Sequence, residues 1–79
     1  MIERPVIEEL DITREVCPMT FVRTRLALDR IAPGSILRVH LRGPEPLRNV
    51  SANSIALGHE LLETRGLKDG STLVEIRRR

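Results

Sequence analysis

The spacing of hydrophobic residues changes along the chain, and each change marks a predicted element. In residues 6–12 (VIEELDI), Leu10 and Ile12 share one face among acidic neighbours, which predicts an edge or half-buried strand. From Pro18 the apolar spacing becomes i, i+4, i+7, which predicts a helix with one core-facing side. That side consists of Thr20, Phe21, Thr24, Ala27, Leu28 and Ile31. Residues 32–34 (APG) end the helix, because proline cannot continue it and glycine tolerates the turn.

A clean alternation of apolar and polar residues returns in residues 35–42 (SILRVHLR). This pattern predicts a strand with one buried and one solvated face. The inward residues are Leu37, Val39 and Leu41, and the outward residues are Arg38, His40 and Arg42. Residues 43–49 (GPEPLRN) contain two prolines and are predicted to form a loop.

The pattern in residues 50–66 fits either one helix, or a short helix that ends at Gly58 and is followed by a strand in 59–65. Glycine inside a helix costs about 1 kcal/mol relative to alanine, which favours the break at Gly58. Residues 67–71 contain an Asp-Gly turn signal, and 71–79 alternate as a closing strand. A turn between two strands predicts a terminal hairpin and supports the same break.

The predicted order of elements is therefore strand, helix, strand, helix, strand, strand. This order predicts an α/β (α+β) two-layer sandwich, β-α-β-α-β-β, in which a four-stranded mixed sheet carries both helices on one face. We expect the 79 residues to form a single domain, 1–79. A chain of this size buries only about 60% of its unfolded surface, so its chemistry is expected on an exposed surface.

Composition narrows the possible partners. Thirteen basic and eleven acidic residues give a net charge of +2, and Phe21 is the only aromatic residue. Single-stranded nucleic acids are usually bound by stacking on several aromatic rings, so direct nucleic-acid binding is not favoured. No apolar run reaches the roughly 18 residues of a membrane span, and the N-terminus lacks a long apolar signal core. We therefore expect a cytoplasmic protein that does not contact a membrane.

Cys17 is the only cysteine, which excludes a disulfide within the chain. A metal site is not predicted, because His40 and His59 would have to converge on Cys17 without further ligands. No cofactor is predicted either. The simplest interpretation of Cys17 is a small buried hydrophobic residue.

The position of Cys17 favours a different interpretation. Proline suits the first position of a helix, so Pro18 places Cys17 at or near the helix N-cap. The positive end of a helix dipole lowers the pKa of a thiol below its free value of ~8.5. A reactive thiolate without a general base or a deep pocket is suited to thiol exchange or to carrying a sulfur atom.

A second apolar stripe is predicted on the same helix. Met19, Val22 and Leu26 follow i, i+3, i+7 spacing, begin two residues after the cysteine and are bordered by Arg23 and Arg30. The stripe either packs partly against the second helix or offers a partner protein a contact surface beside the cysteine.

Several segments together resemble the TusA/SirA-type sulfur-carrier family. They are VCPMT at 16–20, APG at 32–34, GHELLE at 58–63 and the terminal hairpin, and the resemblance extends from about Val6 to Arg77. It implies that Cys17 carries a persulfide on a two-layer sandwich of four strands and two helices. It further implies a cysteine desulfurase or rhodanese-like donor and a downstream acceptor protein.

The family signature is Cys-Pro-any-Pro, whereas this chain has Cys-Pro-Met-Thr, with Thr20 in place of the second proline. Unlike proline, Thr20 has an amide that can donate a hydrogen bond to the Cys17 sulfur at a helix N-terminus. Thr20 can equally face the core without such a role, and both interpretations stay open. Arg14 is the nearest preceding cation and is a candidate to stabilise a thiolate or persulfide.

The sequence thus predicts a sulfurtransferase-type carrier that relays persulfide sulfur through Cys17. Two alternatives remain at this point. One is a non-catalytic interaction or regulatory module of the same fold, and the other is a nucleic-acid-binding domain that uses the outer sheet face and the arginines at 77–79.

Overall fold

The computed structural model describes residues 5–16 and 19–79 and confirms the predicted order of elements. The elements are β1 (Ile7–Asp11), α1 (Met19–Arg30), β2 (Ile36–Leu41), α2 (Pro44–Ala56), β3 (Glu60–Gly66) and β4 (Thr72–Arg77). The four strands form one mixed sheet in the order β1-β2-β4-β3, in which β1 and β2 are parallel and the other neighbours antiparallel. The predicted fold class is confirmed. Neither helix in the described part of the chain has the length and apolar character needed to cross a membrane.

The core lies between the sheet and the helices and follows the predicted alternation. In β2 the inward side chains of Leu37, Val39 and Leu41 are fully buried, and Val74 and Ile76 of β4 pair beside them. The helices complete the core with Thr20, Thr24, Ala27 and Leu28 of α1 and with Val50 and Ser54 of α2. Burial of this apolar surface is the main term that stabilises the two-layer arrangement.

Phe21 was predicted to face the core, but it is only half-buried. With 100° between successive helix residues, Phe21 lies beside Leu28 at the edge of the core-facing arc. This edge of α1 lies on the side of α2. Arg25, one turn after Phe21, lines a pocket together with Leu57, the residue that follows α2. The smaller side chains of Thr20 and Thr24 occupy the centre of the arc instead.

The predicted loop at 43–49 is wrong, because α2 begins at Pro44. Pro44 and Pro46 lie in the first turn, where backbone N–H groups have no helical partner and proline removes nothing. Gly43 precedes the helix with φ 99°. The predicted break at Gly58 is confirmed, with φ +90° there. Carbonyl groups at the end of α2 are satisfied by the amides of Leu57, Gly58 and His59.

The strand register defines two ends of the sheet. At one end, here called the Asp11 end, Asp11 pairs with His40, and the hairpin loop 67–71 joins β3 to β4. At the other, the Arg77 end, Ile36 pairs with Ile7 and Arg77, and Arg77 pairs with Glu60. Because β1 runs toward Asp11, the segment that leads into α1 lies at the Asp11 end. Because β3 starts at the Arg77 end, α2 finishes there.

Candidate functional site

The segment between β1 and α1 is held by bonds at its start. The amide of Ile12 donates to the carbonyl oxygen of His40 at 2.8 Å, and the Ile12 side chain is buried in the core. The Asp11 carboxylate accepts hydrogen bonds from the amide and the hydroxyl of Thr13 at 2.9 and 2.7 Å. These two bonds, the backbone bond foremost, lower the pKa of Asp11 below its usual value. The amide of Glu15 closes the turn onto the Ile12 carbonyl at 3.1 Å.

Cys17 and Pro18 follow this turn in sequence and lie outside the described residues. The residues on either side of them are joined, since the Met19 amide donates to the Val16 carbonyl at 2.8 Å. Val16 itself is 73% exposed. The described residues before and after Cys17 and Pro18 are thus held by backbone hydrogen bonds at the Asp11 end of the sheet.

Arg14 and Glu15 line a shallow polar pocket of about 340 Å³, together with Asp11 and Thr13. Arg14 is exposed, and its charge is one of the smaller causes of the low pKa of Asp11. The structure therefore places the predicted Arg14 in the turn that leads to the cysteine, where it lines a polar pocket that the sequence did not indicate.

Glu15 is a residue of this site that sequence reasoning missed. Its Oε1 atom lies 2.6 Å from Nη1 of Arg23, and both side chains are partly exposed. The pair joins the turn before the cysteine to the second turn of α1. Helical pair rules apply at spacings of three and four residues within one helix, so a spacing of eight across a helix start gave no signal.

The predicted stripe on α1 is exposed. Met19, Val22 and Leu26 expose 43%, 37% and 57% of their surface, so they are not part of the core between sheet and helices. Beside them, a groove of about 400 Å³ runs along α1 next to Leu10 of β1. Arg23, Leu26, Asp29 and Arg30 line its helix side. Val16 adds a further exposed apolar side chain just before the cysteine.

Comparison with known proteins identifies the family of this chain. The model of the family described as "Sulfurtransferase TusA" matches residues 8–78. The chain belongs to the TusA family.

This TusA-family chain is similar to two relatives over most of their length. A protein of Archaeoglobus fulgidus is 41% identical over 70 residues, which cover 86% of this chain and 80% of the relative. A protein of Thermotoga maritima is 38% identical over 63 residues, with 80% of each chain covered. Both carry the name "Putative sulfur carrier protein". A solved structure of the SirA-like protein from Desulfitobacterium hafniense matches with a TM-score of 0.80, covering 89% of this chain and 95% of that one. At 20% identity this likeness shows the fold.

Thr20, where this TusA-family chain lacks the second signature proline, is fully buried in the first turn of α1. The Thr20 carbonyl accepts a hydrogen bond from the Thr24 hydroxyl at 2.8 Å. The core-facing interpretation of the Thr20 side chain is confirmed. Donation from its amide to the sulfur of Cys17 stays a prediction, because Cys17 lies outside the described residues.

The two histidines have separate surroundings in this TusA-family fold. The His40 side chain lies on the outer sheet face, with Nε2 3.7 Å from Oε1 of Glu9. His59 lies at the Arg77 end, away from the turn that precedes the cysteine, and its Nδ1 accepts the Arg79 amide at 3.0 Å. Burial foremost, and then the positive charges of Arg78 and Arg79, lower the pKa of His59.

The outer face of the sheet pairs its charges. Arg38 contacts Glu75 at 2.7 Å, and Arg77 contacts Glu60 at 2.9 Å. Binding to a phosphate backbone requires arginines that are not already neutralised by carboxylates. The outer face therefore does not favour the nucleic-acid alternative.

Proposed function

We propose that this protein is a sulfur carrier that relays persulfide sulfur through Cys17 between a donor and an acceptor protein. The observation that carries the proposal is the position of the only cysteine within the segment matched by the TusA family, directly after the exposed Val16. The names of the two relatives support the same role.

The proposed transfer is an exchange at sulfur with no net oxidation or reduction. The Cys17 thiolate attacks the outer sulfur of a donor persulfide, R–S–SH, so that a new S–S bond forms and the donor S–S bond breaks. The products are Cys17–S–SH and the donor thiolate, R–S⁻. In the second step an acceptor thiolate attacks the outer sulfur of Cys17–S–SH, and the Cys17 thiolate leaves.

Three neighbouring residues have proposed roles in this exchange. The role proposed for Pro18 is to start the helix, because proline suits the first helical position and the positive end of the helix dipole would then favour the Cys17 thiolate. The role proposed for Thr20 is that its backbone N–H donates a hydrogen bond to the sulfur. A proline at this position would have no N–H to donate. Arg14, which is exposed on the preceding turn, offers a positive charge to a thiolate or persulfide.

The proposed donor is a cysteine desulfurase or a rhodanese-like protein, since both present sulfur as a persulfide on a cysteine. Two such cysteines must come into contact, so the donor has to dock beside Cys17. The exposed stripe of Met19, Val22 and Leu26, with Arg23 at its border, begins two residues away and is the proposed docking surface.

Loading with labelled sulfur tests the proposal. A cysteine desulfurase and ³⁵S-cysteine are offered to the wild-type chain and to Cys17→Ser, and label is measured after non-reducing electrophoresis. We expect label on the wild type and none on Cys17→Ser, with an unchanged circular dichroism spectrum, because a serine hydroxyl also caps a helix.

A matched control moves the thiol to another helix. The double variant Cys17→Ser with Ala52→Cys places one cysteine at an exposed position of α2. Equal loading of this variant would show that any surface thiol accepts sulfur, which contradicts a dedicated carrier site. No loading of the wild type, with the fold intact, would support the interaction-module alternative instead.

A further inference from the structure

A second pocket lies at the Arg77 end, away from the segment that carries the cysteine. It has a volume of about 180 Å³ and lies between the C-terminal half of α1, the end of α2 and the end of β4. Its lining residues are Arg25, Asp29, Leu57, His59, Arg78 and Arg79.

The pocket concentrates positive charge. Three arginines and one aspartate line it, and in the part of the chain that the structure describes none of these four side chains forms an ion pair within 4 Å. The outer sheet face is different, since Arg38 and Arg77 each contact a glutamate there. Unpaired guanidinium groups that converge on one concavity favour a bound anion.

Arg78 contributes a donor that is not satisfied by the protein. Its Nε atom is buried and has no hydrogen-bond partner among residues 5–16 and 19–79, while its Nη1 reaches the Arg79 carbonyl only at 3.5 Å. A buried charged donor without an acceptor is unfavourable, and the residue that carries it lines the pocket.

Arg79 and His59 are held in place around the pocket. A Cβ atom at Gly58 would lie 2.9 Å from Cδ of Arg79, so the glycine leaves room for this side chain against the end of α2. His59 accepts the Arg79 amide through Nδ1. A neutral histidine that accepts through Nδ1 carries its proton on Nε2, which makes His59 a further N–H donor of the pocket lining.

We propose that this pocket binds a phosphate-sized oxyanion, either free or as the phosphate group of a small molecule. The pocket is smaller than the roughly 300–1,000 Å³ of sites for drug-sized ligands, which favours a compact ion. Arginine supplies the paired donors that match phosphate oxygens. The inference does not depend on the carrier function, because Cys17 is not part of this pocket.

The competing explanation assigns the arginines to the helix ends. Cations near the C-termini of α1 and α2 stabilise the negative ends of the helix dipoles without any ligand. This explanation predicts no saturable binding of anions, so the two accounts can be separated by titration.

The experiment is an amide NMR titration of the full chain with sodium phosphate, with chloride replaced to keep the ionic strength constant. We expect saturable shifts at Leu57, Gly58, His59 and Arg79. Arg78→Gln should weaken binding by about tenfold or more, since a hydrogen bond to a charged group has that effect. Arg25→Gln should also weaken phosphate binding. Because Arg25 is exposed on α1, this second variant tests the pocket even if Arg78→Gln disturbs the end of β4.

Arg48→Gln is the matched control, because Arg48 is exposed on α2 and does not line the pocket. Arg48→Gln should bind phosphate as tightly as the wild type. In a separate measurement, sulfur loading of Arg78→Gln should equal that of the wild type. Glycerol phosphate identifies the source: tighter binding than inorganic phosphate indicates a phosphorylated small molecule, and equal or weaker binding indicates the free ion. Non-saturable shifts, or equal loss in Arg48→Gln, would overturn the proposal. The chain should also be tested for binding to a single-stranded RNA. If Arg48→Gln weakens RNA binding as much as Arg78→Gln does, the phosphate groups are not bound in this pocket, and the proposal is overturned.

Discussion

Arg23 and Glu15 are eight residues apart in sequence, and their side chains meet at 2.6 Å across the start of α1. Their ion pair connects the turn before Cys17 to the helix that follows it. Apart from its hydrogen bonds, the turn packs little against the core, since Ile12 is the only fully buried side chain among residues 12–16. The pair therefore holds the turn that precedes Cys17 against the second turn of α1.

A double-mutant cycle measures what this pair contributes. Arg23→Gln, Glu15→Gln and the double variant should show a coupling of about 0.2–1 kcal/mol in the free energy of unfolding, because both side chains are partly exposed. The coupling should shrink at 1 M salt, where charges are screened over about 3 Å. Urea unfolding at two salt concentrations checks this. A coupling that is absent at low salt would contradict a role for the pair in holding the turn.

The stripe on α1 makes a prediction about docking. Val22→Glu combined with Leu26→Glu should leave the melting temperature and the alkylation rate of Cys17 nearly unchanged, because both side chains are exposed. Sulfur transfer from a donor protein should fall sharply, since two carboxylates would be buried against the partner. A thermal melt measures the melting temperature, iodoacetamide labelling the alkylation rate, and the labelled-sulfur assay the transfer.

Ile55→Glu is the control for the double variant of the stripe, because Ile55 on α2 is 57% exposed, as Leu26 is on α1. It should not change sulfur transfer. Equal loss of transfer in the control would mean that added negative charge, rather than the stripe, is responsible. Normal transfer in the double variant would place the docking surface elsewhere.

Alkylation of Cys17 tests the predicted role of Thr20. In the wild type, iodoacetamide should react with a pH midpoint below that of a free cysteine, because a helix N-terminus favours the thiolate. Thr20→Pro restores the family signature and removes the backbone N–H at position 20. Proline is compatible with the first turn of a helix. If that amide donates to the sulfur, the midpoint rises in the variant. An unchanged midpoint would mean that the helix terminus alone sets the reactivity.

His59 predicts how stability depends on pH. Its folded-state pKa lies below the ordinary value of 6.5, with burial as the largest cause. The unfolded chain therefore takes up a proton at this site at a higher pH than the folded chain does. The free energy of unfolding should fall as the pH is lowered from about 6.5 through the lower folded-state pKa.

Urea unfolding at several pH values measures this slope for the wild type and for His59→Asn, which should flatten it. His40→Asn is the control, because His40 lies on the outer sheet face. Below pH 3.8, the ordinary pKa of aspartate, a further decrease in the free energy of unfolding has a different source. Hydrogen bonds lower the pKa of Asp11 and Asp69, so these groups also destabilise the fold when they take up protons. A slope that His40→Asn removes and His59→Asn leaves would contradict the assignment.

Local patterns determined the element order and the core of this protein. The alternation in β2 fixed which face is buried, since only one face of a strand can contact the helices, and Gly58 fixed the end of α2 through its positive φ. The start of α2 was predicted wrongly because proline is compatible with a loop and with the first helical turn alike. Phe21 was misplaced because helical periodicity gives an arc and not its exact edge.

The charged residues that surround each candidate site were decided only by the tertiary structure. Cys17 and its motif were visible in sequence because they are contiguous and the only cysteine stands out. The Glu15–Arg23 pair and the pocket formed by Arg25, His59, Arg78 and Arg79 join residues from different elements. Which charges meet depends on strand register and helix packing, because electrostatic contacts act over a few ångströms in space and not along the sequence.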